Sequence, residues 1–578
     1  MVWLLKKNPA SSAGKEKIVV TSALPYVNGV KHLGNLLGSL LPADVYARFL
    51  RLDGQDVICI CGTDEHGTAC EVGALEEKMP IRAYVDKYHA MQKEVYEKWG
   101  LSFDYFGRTS ALQNHATTQE VFKRIYAKGL ITEKTLKLPY CLNDKRFLPD
   151  RYVGGKCPHC GYENAKGDQC EKCGKVLDPI ELLNPVCTIC RKNNIDFRES
   201  KHLFLDLPKM EEPLRKWISK QKHWPSNARN FALQWIREGL RERCITRDLQ
   251  WGVKVPLAGF EDKVFYVWFD APIGYISITK QLFDERGESG KWEGYWRGPN
   301  AKIIHFLGKD NIAFHAVTWP AVLYSSEYAN LPYQVKSLEF LNYEGEKFST
   351  SRKWGIFTDE ALEWFPPDYW RYYLLSILPE HSDTNFYWEE FQNKVNGDLA
   401  DVIGNLVQRT LVFLKNNYSS KIPAAKTLDG QDKAFKKTIA GHVKKTRQLF
   451  LDYRLQEALH SAVDLARETN KYFNDSQPWH AIKTNPEKAK TSLFLTANAL
   501  RSIAIVLEPF IPFTARDIFG LLNLKFEGIS WSDASKQELK VGHVIAEPRV
   551  LFKKIANEDI EGKRKIIELR SQSAKAKG

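Results

Sequence analysis

The stretch from Lys17 to Cys61 limits the possible folds more than any other part of the chain. Lys17–Val20 is a short apolar run that reads as a strand. Thr21–Gly29 follows as a loop closed by Asn28-Gly29, a turn-forming pair. From about His32, Leu36, Leu37, Leu40, Leu41, Val45 and Phe49 recur at helical spacing. Gly54 ends that helix, and Asp56–Cys61 (DVICIC) reads as a second buried strand. Strand, loop, helix and strand make a βαβ unit, which implies a parallel sheet covered on both faces. Pro80 opens a further helix running to about Trp99.

The α/β rhythm stops at 135–255, where cysteines, glycines and short strand signals cluster. It resumes at 263–275 (KVFYVWFDAPIGY), 302–310 and 336–343. From about 390 to 545 the pattern becomes long helical periodicity. The expected organisation is a frayed N-terminus (1–16) and a Rossmann-like catalytic domain in two halves (17–134 and 256–390). An inserted connective domain (135–255) separates the halves, and an all-α helix bundle (391–545) and a linker with a charged helix (546–578) follow. A length of 578 residues accommodates these units at about 150 residues per domain. No solenoid-period repeat is present.

With 43% hydrophobic and 26% charged residues, whole-chain disorder and collagen-like or low-complexity architectures are excluded. A formal charge of +13 suits a polyanion partner, and equally suits a merely basic surface. No unbroken apolar run reaches the ~18 residues of a membrane helix. The start, MVWLLKKNPASSAGKEK, lacks the pattern of an export signal, so a cytoplasmic protein with no membrane partner is expected.

Cys157, Cys160, Cys170 and Cys173 form C-x2-C-x9-C-x2-C. Four thiolates on two tight turns suit a closed, structural zinc site, and a chain without an export signal favours metal over disulfides. Cys187 and Cys190 form another C-x2-C. Cys59, Cys61, Cys70 and Cys244 are scattered and read as small buried apolar residues.

Two short motifs stand far apart. His32-Leu33-Gly34-Asn35 opens a helix after the first strand, and Lys347-Phe348-Ser349-Thr350-Ser351-Arg352 follows a strand and turn. Alone, the first reads as a helix cap and the second as an accident. Together they resemble the "HIGH" and "KMSKS" signatures of the class I aminoacyl-tRNA synthetases. The segments TSALPYVNGVKHLGN, CGTDEHGT, FLPDRYVGGKCPHCGYENAKGDQCEKCG, CITRDLQWG, KVFYVWFDAPIGY, FLGKDNIAFH and NYEGEKFSTSR narrow the resemblance. They look like the methionyl-tRNA synthetases of the eukaryotic or archaeal cytosolic type, over residues 17 to about 545.

That resemblance implies ATP-dependent activation of L-methionine to methionyl-adenylate with release of pyrophosphate. Transfer to the 3′ end of initiator and elongator tRNA(Met) would follow, with release of AMP. Catalysis would rest on positioning and on stabilising negative charge. His32 would act on the α-phosphate, and Lys347 on the β and γ phosphates from a mobile loop. Ser349 and Ser351 would hold that loop by hydroxyl hydrogen bonds. Gly34, Asn35, Phe348 and Arg352 complete the ATP-binding set. A helix N-terminus offers N–H groups and a positive dipole end, and Gly29 and Gly34 allow close backbone approach. Two positions depart from the family pattern. Asn35 replaces the second His, and Thr350 replaces the second Lys, with Arg352 or Lys353 expected to compensate.

The methionine pocket implied by the resemblance is Ala23, Leu24, Tyr26, Trp268, Ala271, Pro272, Tyr275 and His315. Asp64 would hold the α-amino group, Arg247 would lie near the carboxylate, and Asp310 would sit on a polar rim. Read alone, Leu24, Trp268 and Tyr275 are ordinary core residues. A pocket that differs by one methyl or methylene discriminates weakly, so homocysteine is expected to enter and to be released as a thiolactone. On the helix bundle, Asn405, Arg409 and Trp479 match the readers of the CAU anticodon, and Trp479 alone could be a buried loop anchor. Lys436, Lys437, Lys444, Lys445 and Arg447 read as a tRNA backbone contact or a solvated face. In relatives with two zincs a second Cys stands where this chain has Asp144, so a second site would be Cys141, Asp144, Cys187 and Cys190, or that position is empty and the chain holds one zinc. Mg²⁺ is expected with ATP, held mainly by its phosphates.

A monomer is expected, because some relatives dimerise through an oligonucleotide-binding fold beyond the position where this chain stops. Two other readings account for less of the sequence. A small-molecule nucleotidyltransferase leaves the helix bundle and the cysteine cluster unexplained. A non-catalytic zinc-bearing RNA-binding protein leaves Asp64, His32 and Lys347 unexplained.

Overall fold

A computed structural model describes residues 16–577 except 150, 151, 168, 169, 171, 174, 176 and 351. The expected frayed N-terminus therefore lies outside the described residues, apart from Glu16. The chain divides into two compact units. The first comprises the described residues up to Val30, Cys59–Glu94 and Phe103–Ser337. The second comprises Lys31–Ile58, Val95–Ser102 and the described residues from Leu338 onward.

The apolar runs form a five-stranded sheet from β1 (Lys17–Ser22), β2 (Asp56–Thr63), β3 (Tyr105–Arg108), β4 (Ala301–Gly308) and β5 (Gln334–Leu338). The strand order is β5-β4-β1-β2-β3. β1 runs parallel to β4 with Lys17 opposite Ala301, and β2 runs parallel to β3. Val19, Val20, Ile60, Ile303 and Val335 are fully buried, as parallel strands covered on both faces require. Strand order reverses between β1 and β4. In sheets of this kind ligands bind at that point, beyond the carboxyl ends of the two strands. The residues after β1 begin at Ala23, and those after β4 at Lys309.

The helix expected from His32 is composite. A short turn, Leu33–Asn35, leads into a π segment, Leu36–Leu40, and then into an α-helix, Leu41–Leu52. All six apolar positions of the expected face are buried. KVFYVWFDAPIGY, by contrast, gives only a two-residue strand, Val264–Phe265, before a helix from Val267 to Glu285.

Within the first unit, two eleven-residue strands pair antiparallel without a break, from Ile131 opposite Leu205 to Cys141 opposite Ile195. They are longer than the short strands expected there. Beyond Cys141, small strands and tight turns carry the other clustered cysteines around a core that includes Leu148, Tyr152, Val153 and Leu177.

The second unit holds a helix bundle that includes Asn405–Tyr418, Gly430–Leu451, Leu455–Ser476, Pro486–Leu507 and Pro512–Leu521. Helical structure stops earlier than the expected 545. Beyond Leu521 the chain is irregular as far as Asn557 except for one 3₁₀ turn, Trp531–Ser535, because glycines and polar residues break the apolar period there. Pro486–Leu507 is long enough, and apolar enough on average, to cross a bilayer, although it contains no unbroken apolar run of that length. Thr491, Ser492, Thr496, Asn498 and Arg501 interrupt the run, and 89% of its most apolar window is buried inside the protein. The charged helix Asn557–Lys577 folds back, burying Ile560 and Ile567.

A buried ion network ties distant segments of this unit together. Arg48 bonds Asp44 (3.0 Å), Glu508 (2.6 Å) and the Gly100 carbonyl. Arg371 bonds Asp44 (2.7 Å) and the carbonyls of Phe510 and Pro509. Burial opposes ionisation of Asp44, but Arg48, Arg371 and Ser102 outweigh it and hold its pKa at about 2.

Candidate active site and metal centres

In the first unit, the segments after β1 and β4 and the start of the helix Val267–Glu285 carry the residues expected to bind methionine. Ala23 N–H bonds the Phe306 carbonyl (2.9 Å), which continues the β1–β4 pairing. Asp64 is buried and fixed by its backbone, its N–H donating to Pro25 and its carbonyl accepting from Val27. This brings Asp64 opposite Tyr26. Tyr26 meets Trp268 edge-on (6.4 Å between centroids), and Trp268 stacks on Phe314 at 3.6 Å. Leu24 packs at Gly274, where an added Cβ would lie 3.2 Å from Leu24 Cδ1. Ala271 and Pro272 occupy the same helix as Trp268 and Tyr275.

Tyr275 and His315 form a buried pair, with hydroxyl to Nε2 at 2.8 Å. His315 lies on a π segment, Phe314–Thr318. Burial lowers its pKa to about 4, so the ring is neutral at pH 7. Its Nδ1 faces the Asn311 carbonyl (3.1 Å), which can only accept, so Nδ1 carries the proton and Nε2 accepts from Tyr275. Arg247 lies over the Tyr266 ring at 3.7 Å and donates to the Thr246 carbonyl. Asp310 is exposed on a single turn, Lys309–Asn311, and a side chain at Gly308 would collide with its carboxylate.

In the second unit the two signature segments meet. His32 is the N-cap of Leu33–Asn35, with extended dihedrals (φ −88°, ψ 167°). Its Nδ1 accepts the Asn35 N–H (3.2 Å), and its own N–H donates to Asn35 Oδ1 (3.3 Å), giving a reciprocal cap. Burial, then Lys31, push its pKa down to about 3. The ring is therefore neutral, and its proton is on Nε2. Phe348 stacks on it at 4.7 Å and 16°. Two glycines make that stack possible. A Cβ at Gly34 would lie 3.0 Å from His32 Nδ1, and one at Gly355 (φ +108°) would fall inside the Phe348 ring.

Lys347 sits on a hairpin whose two-residue turn, Glu344-Gly345, takes positive φ at both positions (49° and 81°), as the tightest hairpins require. Its side chain is exposed. Ser349 Oγ accepts the Arg352 N–H (3.3 Å), and Ser349 pairs with Trp354 through two backbone bonds. Ser351 lies outside the described residues. Arg352 is engaged with Glu346 (3.4 Å) beside the exposed Thr350, so its charge is partly neutralised within the loop. Sequence reasoning missed Arg570. From the C-terminal helix it donates to the carbonyls of Lys353 (3.0 Å) and Gly355 and pairs with Glu360, while Arg564 reaches Glu344 (3.4 Å). Phe314 was missed as well, although it lies within FLGKDNIAFH beside His315, whereas Arg570 has no motif of its own.

Also in the second unit, Arg409 Nη2 bonds Asn474 (2.9 Å) and lies over the rings of Phe473 and Trp479 (5.1 and 5.5 Å). Asn405 is exposed one helical turn before Arg409. Trp479 is 45% exposed in the short helix Pro478–Thr484, which is unlike a buried loop anchor. Lys436, Lys437, Lys444 and Lys445 are exposed, but Arg447 is held by Asp53 (2.6 and 2.9 Å).

The two metal-type clusters are built alike. Cys157, Cys160, Cys170 and Cys173 place their sulfurs within 4.8 Å of one another, and so do the ligand atoms of Cys141, Asp144, Cys187 and Cys190. Sulfur separations of 3.6–3.9 Å match the ~3.8 Å edge of a tetrahedron with Zn–S near 2.3 Å. Gly161 and Arg191, each following the second Cys of a C-x2-C, take positive φ (70° and 58°) and close the turn. Asp144 Oδ2 lies 3.3 Å from Cys141 Sγ and 3.1 Å from Cys187 Sγ, in the position of a fourth ligand. Each cluster could hold zinc.

Residues 18–411 match the family model described as tRNA synthetases class I (M), and 422–567 match the anticodon binding domain of methionyl tRNA ligase. The methionine–tRNA ligase of Pyrococcus furiosus is 44% identical over 557 residues, covering 94% of this chain and 76% of that protein. Methionine–tRNA ligase 1 of Acaryochloris marina is 43% identical over 561 residues, covering 96% and 99%. The chain belongs to the class I methionyl-tRNA synthetases. Among solved structures of methionyl-tRNA synthetases, the Mycobacterium tuberculosis protein bound by methionyl-adenylate superposes with a TM-score of 0.77 at 26% identity. That match covers 93% of this chain and 100% of that one. In this member His32 is neutral and stacked on Phe348 beside Asn35, and Asp144 stands with three cysteines in the second cluster.

Proposed function

We propose that the chain is a methionine–tRNA ligase, carried by the match of two methionyl-tRNA synthetase family models to 18–411 and 422–567. L-methionine and ATP react to methionyl-adenylate and pyrophosphate, and the methionyl group then passes to the 3′ end of tRNA(Met), initiator and elongator, with release of AMP. Asp64 holds the substrate ammonium and Arg247 neutralises its carboxylate. Trp268, Tyr26, Leu24, Ala23, Ala271 and Pro272 enclose the thioether, which gains from soft contact with aromatic rings. The Tyr275–His315 pair shapes the end of the pocket, and Asp310 lies on its rim.

The methionine carboxylate attacks the α-phosphorus and pyrophosphate leaves. Charge builds on the phosphoryl oxygens, where a neutral His32 donates through Nε2 and Asn35 through its NH₂. The N–H groups of Leu33 and Asn35 are bonded to the Ile356 carbonyl and to His32, so the helix start adds its dipole rather than free donors. Lys347 meets the outgoing phosphates, with Mg²⁺ accompanying ATP. Ser349 holds the loop, and Arg352 supplies part of the charge absent at Thr350.

Asn405, Arg409 and Trp479 read the anticodon by stacking and edge contacts, each stacked base contributing roughly 1–3 kcal/mol. Zinc, when bound to either cluster, supplies structural cross-linking and no chemistry. The enzyme works in the cytoplasm. ATP–pyrophosphate exchange measured across the twenty amino acids is expected to respond to methionine alone, and exchange with another amino acid would overturn the assignment. Trp479→Ala is expected to cripple aminoacylation and spare exchange, and equal loss of both would assign Trp479 to packing. Elemental analysis should find two zincs per chain, and a single zinc would mean that Asp144 does not complete a site.

A further inference from the structure

A chain of rings leads outward from the residues expected to bind methionine, all of it within the first unit. Trp268 meets Tyr26 edge-on and stacks on Phe314. The Arg243 guanidinium comes next, 6.0 Å from the Phe314 ring and 5.2 Å from that of Trp235. Phe231 follows, its ring 6.5 Å from Trp235 and tilted by 49°. Exposure rises along the way. Trp268, Phe314 and Trp235 are half-buried, Arg243 is exposed, and Phe231 is 46% exposed.

The local sequence accounts for this arrangement. Phe231 and Trp235 are four residues apart in the helix Ser226–Arg237, so they share one face. That helix buries Ala228, Ala232 and Ile236, and the two rings stand beside the buried stripe rather than in it. Arg243 lies on the two-residue strand Arg243–Cys244, opposite Leu205 of the strand Ile195–Leu205. Cys244 is partly exposed there, not buried as its isolated position in the sequence suggested. A single exposed Phe needs no explanation. A Phe, a Trp and a guanidinium continuous with the rings of a substrate pocket form a surface with a use.

The charge around these rings is mainly positive. Arg237, Arg241 and Arg243 are exposed, and among the described residues no carboxylate pairs with any of them. Of the two carboxylates in the same stretch, Glu238 bonds Gln234 (2.9 Å), and Glu242 bonds Thr132 (2.6 Å) and Lys134. Unpaired cations among open aromatic faces suit single-stranded RNA. Its bases stack on rings and guanidinium planes, and arginines meet its phosphates.

We propose that Phe231, Trp235 and Arg243 form a stacking platform for the unpaired 3′-terminal nucleotides of the tRNA, which brings the terminal ribose to the methionyl group held at Trp268. The platform rests on the reading of the chain as a methionine–tRNA ligase. In the second step of that reaction the 3′ end must reach the pocket. The ribose hydroxyl oxygen bonds the methionyl carbonyl carbon, and the bond from that carbon to the phosphate oxygen breaks. AMP leaves with the electron pair, and the hydroxyl proton passes to its phosphate. Phe231, Trp235 and Arg243 make none of these bonds. They hold the end of the strand within reach, and such positioning is itself a large part of a rate.

Single-turnover transfer is measured from preformed methionyl-adenylate at saturating tRNA(Met). Phe231→Ala is expected to slow transfer about tenfold, as loss of one base stack does, and Phe231→Trp to retain it. Methionine-dependent ATP–pyrophosphate exchange is expected to stay unchanged in both. Undiminished transfer in Phe231→Ala would overturn the platform, and so would a parallel loss of exchange, which would assign Phe231 to packing. Equilibrium binding is then compared for intact tRNA(Met) and for the same tRNA lacking its last three nucleotides. Phe231→Ala and Arg243→Gln are expected to weaken binding of the intact molecule alone. An equal loss with the shortened molecule would place these side chains against another part of the RNA and overturn the platform. A wild-type chain without methionine-dependent exchange would overturn the ligase reading itself, so the two failures are told apart.

Discussion

In the proposed reaction His32 would offer a phosphate one proton, on Nε2, because Nδ1 is occupied by the Asn35 N–H and the ring is neutral. Its pKa is depressed from 6.5 to about 3, so between those values the unfolded chain binds the proton and the folded chain does not. The stability contributed by the neutral ring is complete above 6.5 and is lost as pH falls toward 3. The kcat/KM for ATP in pyrophosphate exchange is therefore expected to show no imidazole break from pH 8 to 6. A break near 6.5 that disappears in His32→Asn would contradict this. His32→Ala is expected to lower kcat by roughly 10²–10³, the loss typical of removing one preorganised donor, with methionine affinity unchanged in equilibrium titration. His32 and Lys347 could be found in the sequence because each sits in a spaced motif. The Phe348 stack and the Phe314 stack under Trp268 could not, since a lone aromatic residue reads as core until its neighbours are known.

At the scale of elements, the loop carrying Lys347 is shaped by parts of different legibility. Its hairpin turn follows from Glu344-Gly345, but the clamp on its far side does not. Arg570 binds two loop carbonyls and Glu360 from a helix whose sequence shows only charge and helix propensity. Arg570→Ala removes several charge-assisted bonds, each worth roughly 1.5–3 kcal/mol when formed and less at a partly exposed site. Methionine-dependent exchange is expected to fall about tenfold through kcat and the ATP KM, with methionine binding unaltered. An unchanged ATP KM would show that the clamp is incidental. The cysteine elements were the most legible, because C-x2-C fixes turn and ligand together. The two long strands that carry them were not, since the polar runs Glu133-Lys134-Thr135 and Arg198-Glu199-Ser200-Lys201 interrupt their apolar alternation.

On the scale of the whole molecule, each compact unit is assembled from segments distant in sequence. Local patterns identified the βαβ opening and the helix bundle. They gave no sign that Asp44 would meet Arg371, 327 residues away, because a charge inside a helix reads as a solvated face. Asp44→Asn leaves Arg48 and Arg371 buried without their carboxylate and is expected to cost about 3–5 kcal/mol, read from urea unfolding of the second unit. Its folded pKa of about 2 lies below the model-compound value of 3.8, so its contribution is complete above 3.8 and is lost as pH falls through 2. Acid unfolding of Asp44→Asn should therefore lack that step.

The clamp on the nucleotide loop also has a consequence in time. Lys353 is translated 217 residues before Arg570. At about 5–20 residues per second, the ribosome exposes that loop for roughly 10–40 s before the arginine that fastens it is made. Until then the loop of the nascent chain lacks the bonds that Arg570 gives to Lys353 and Gly355.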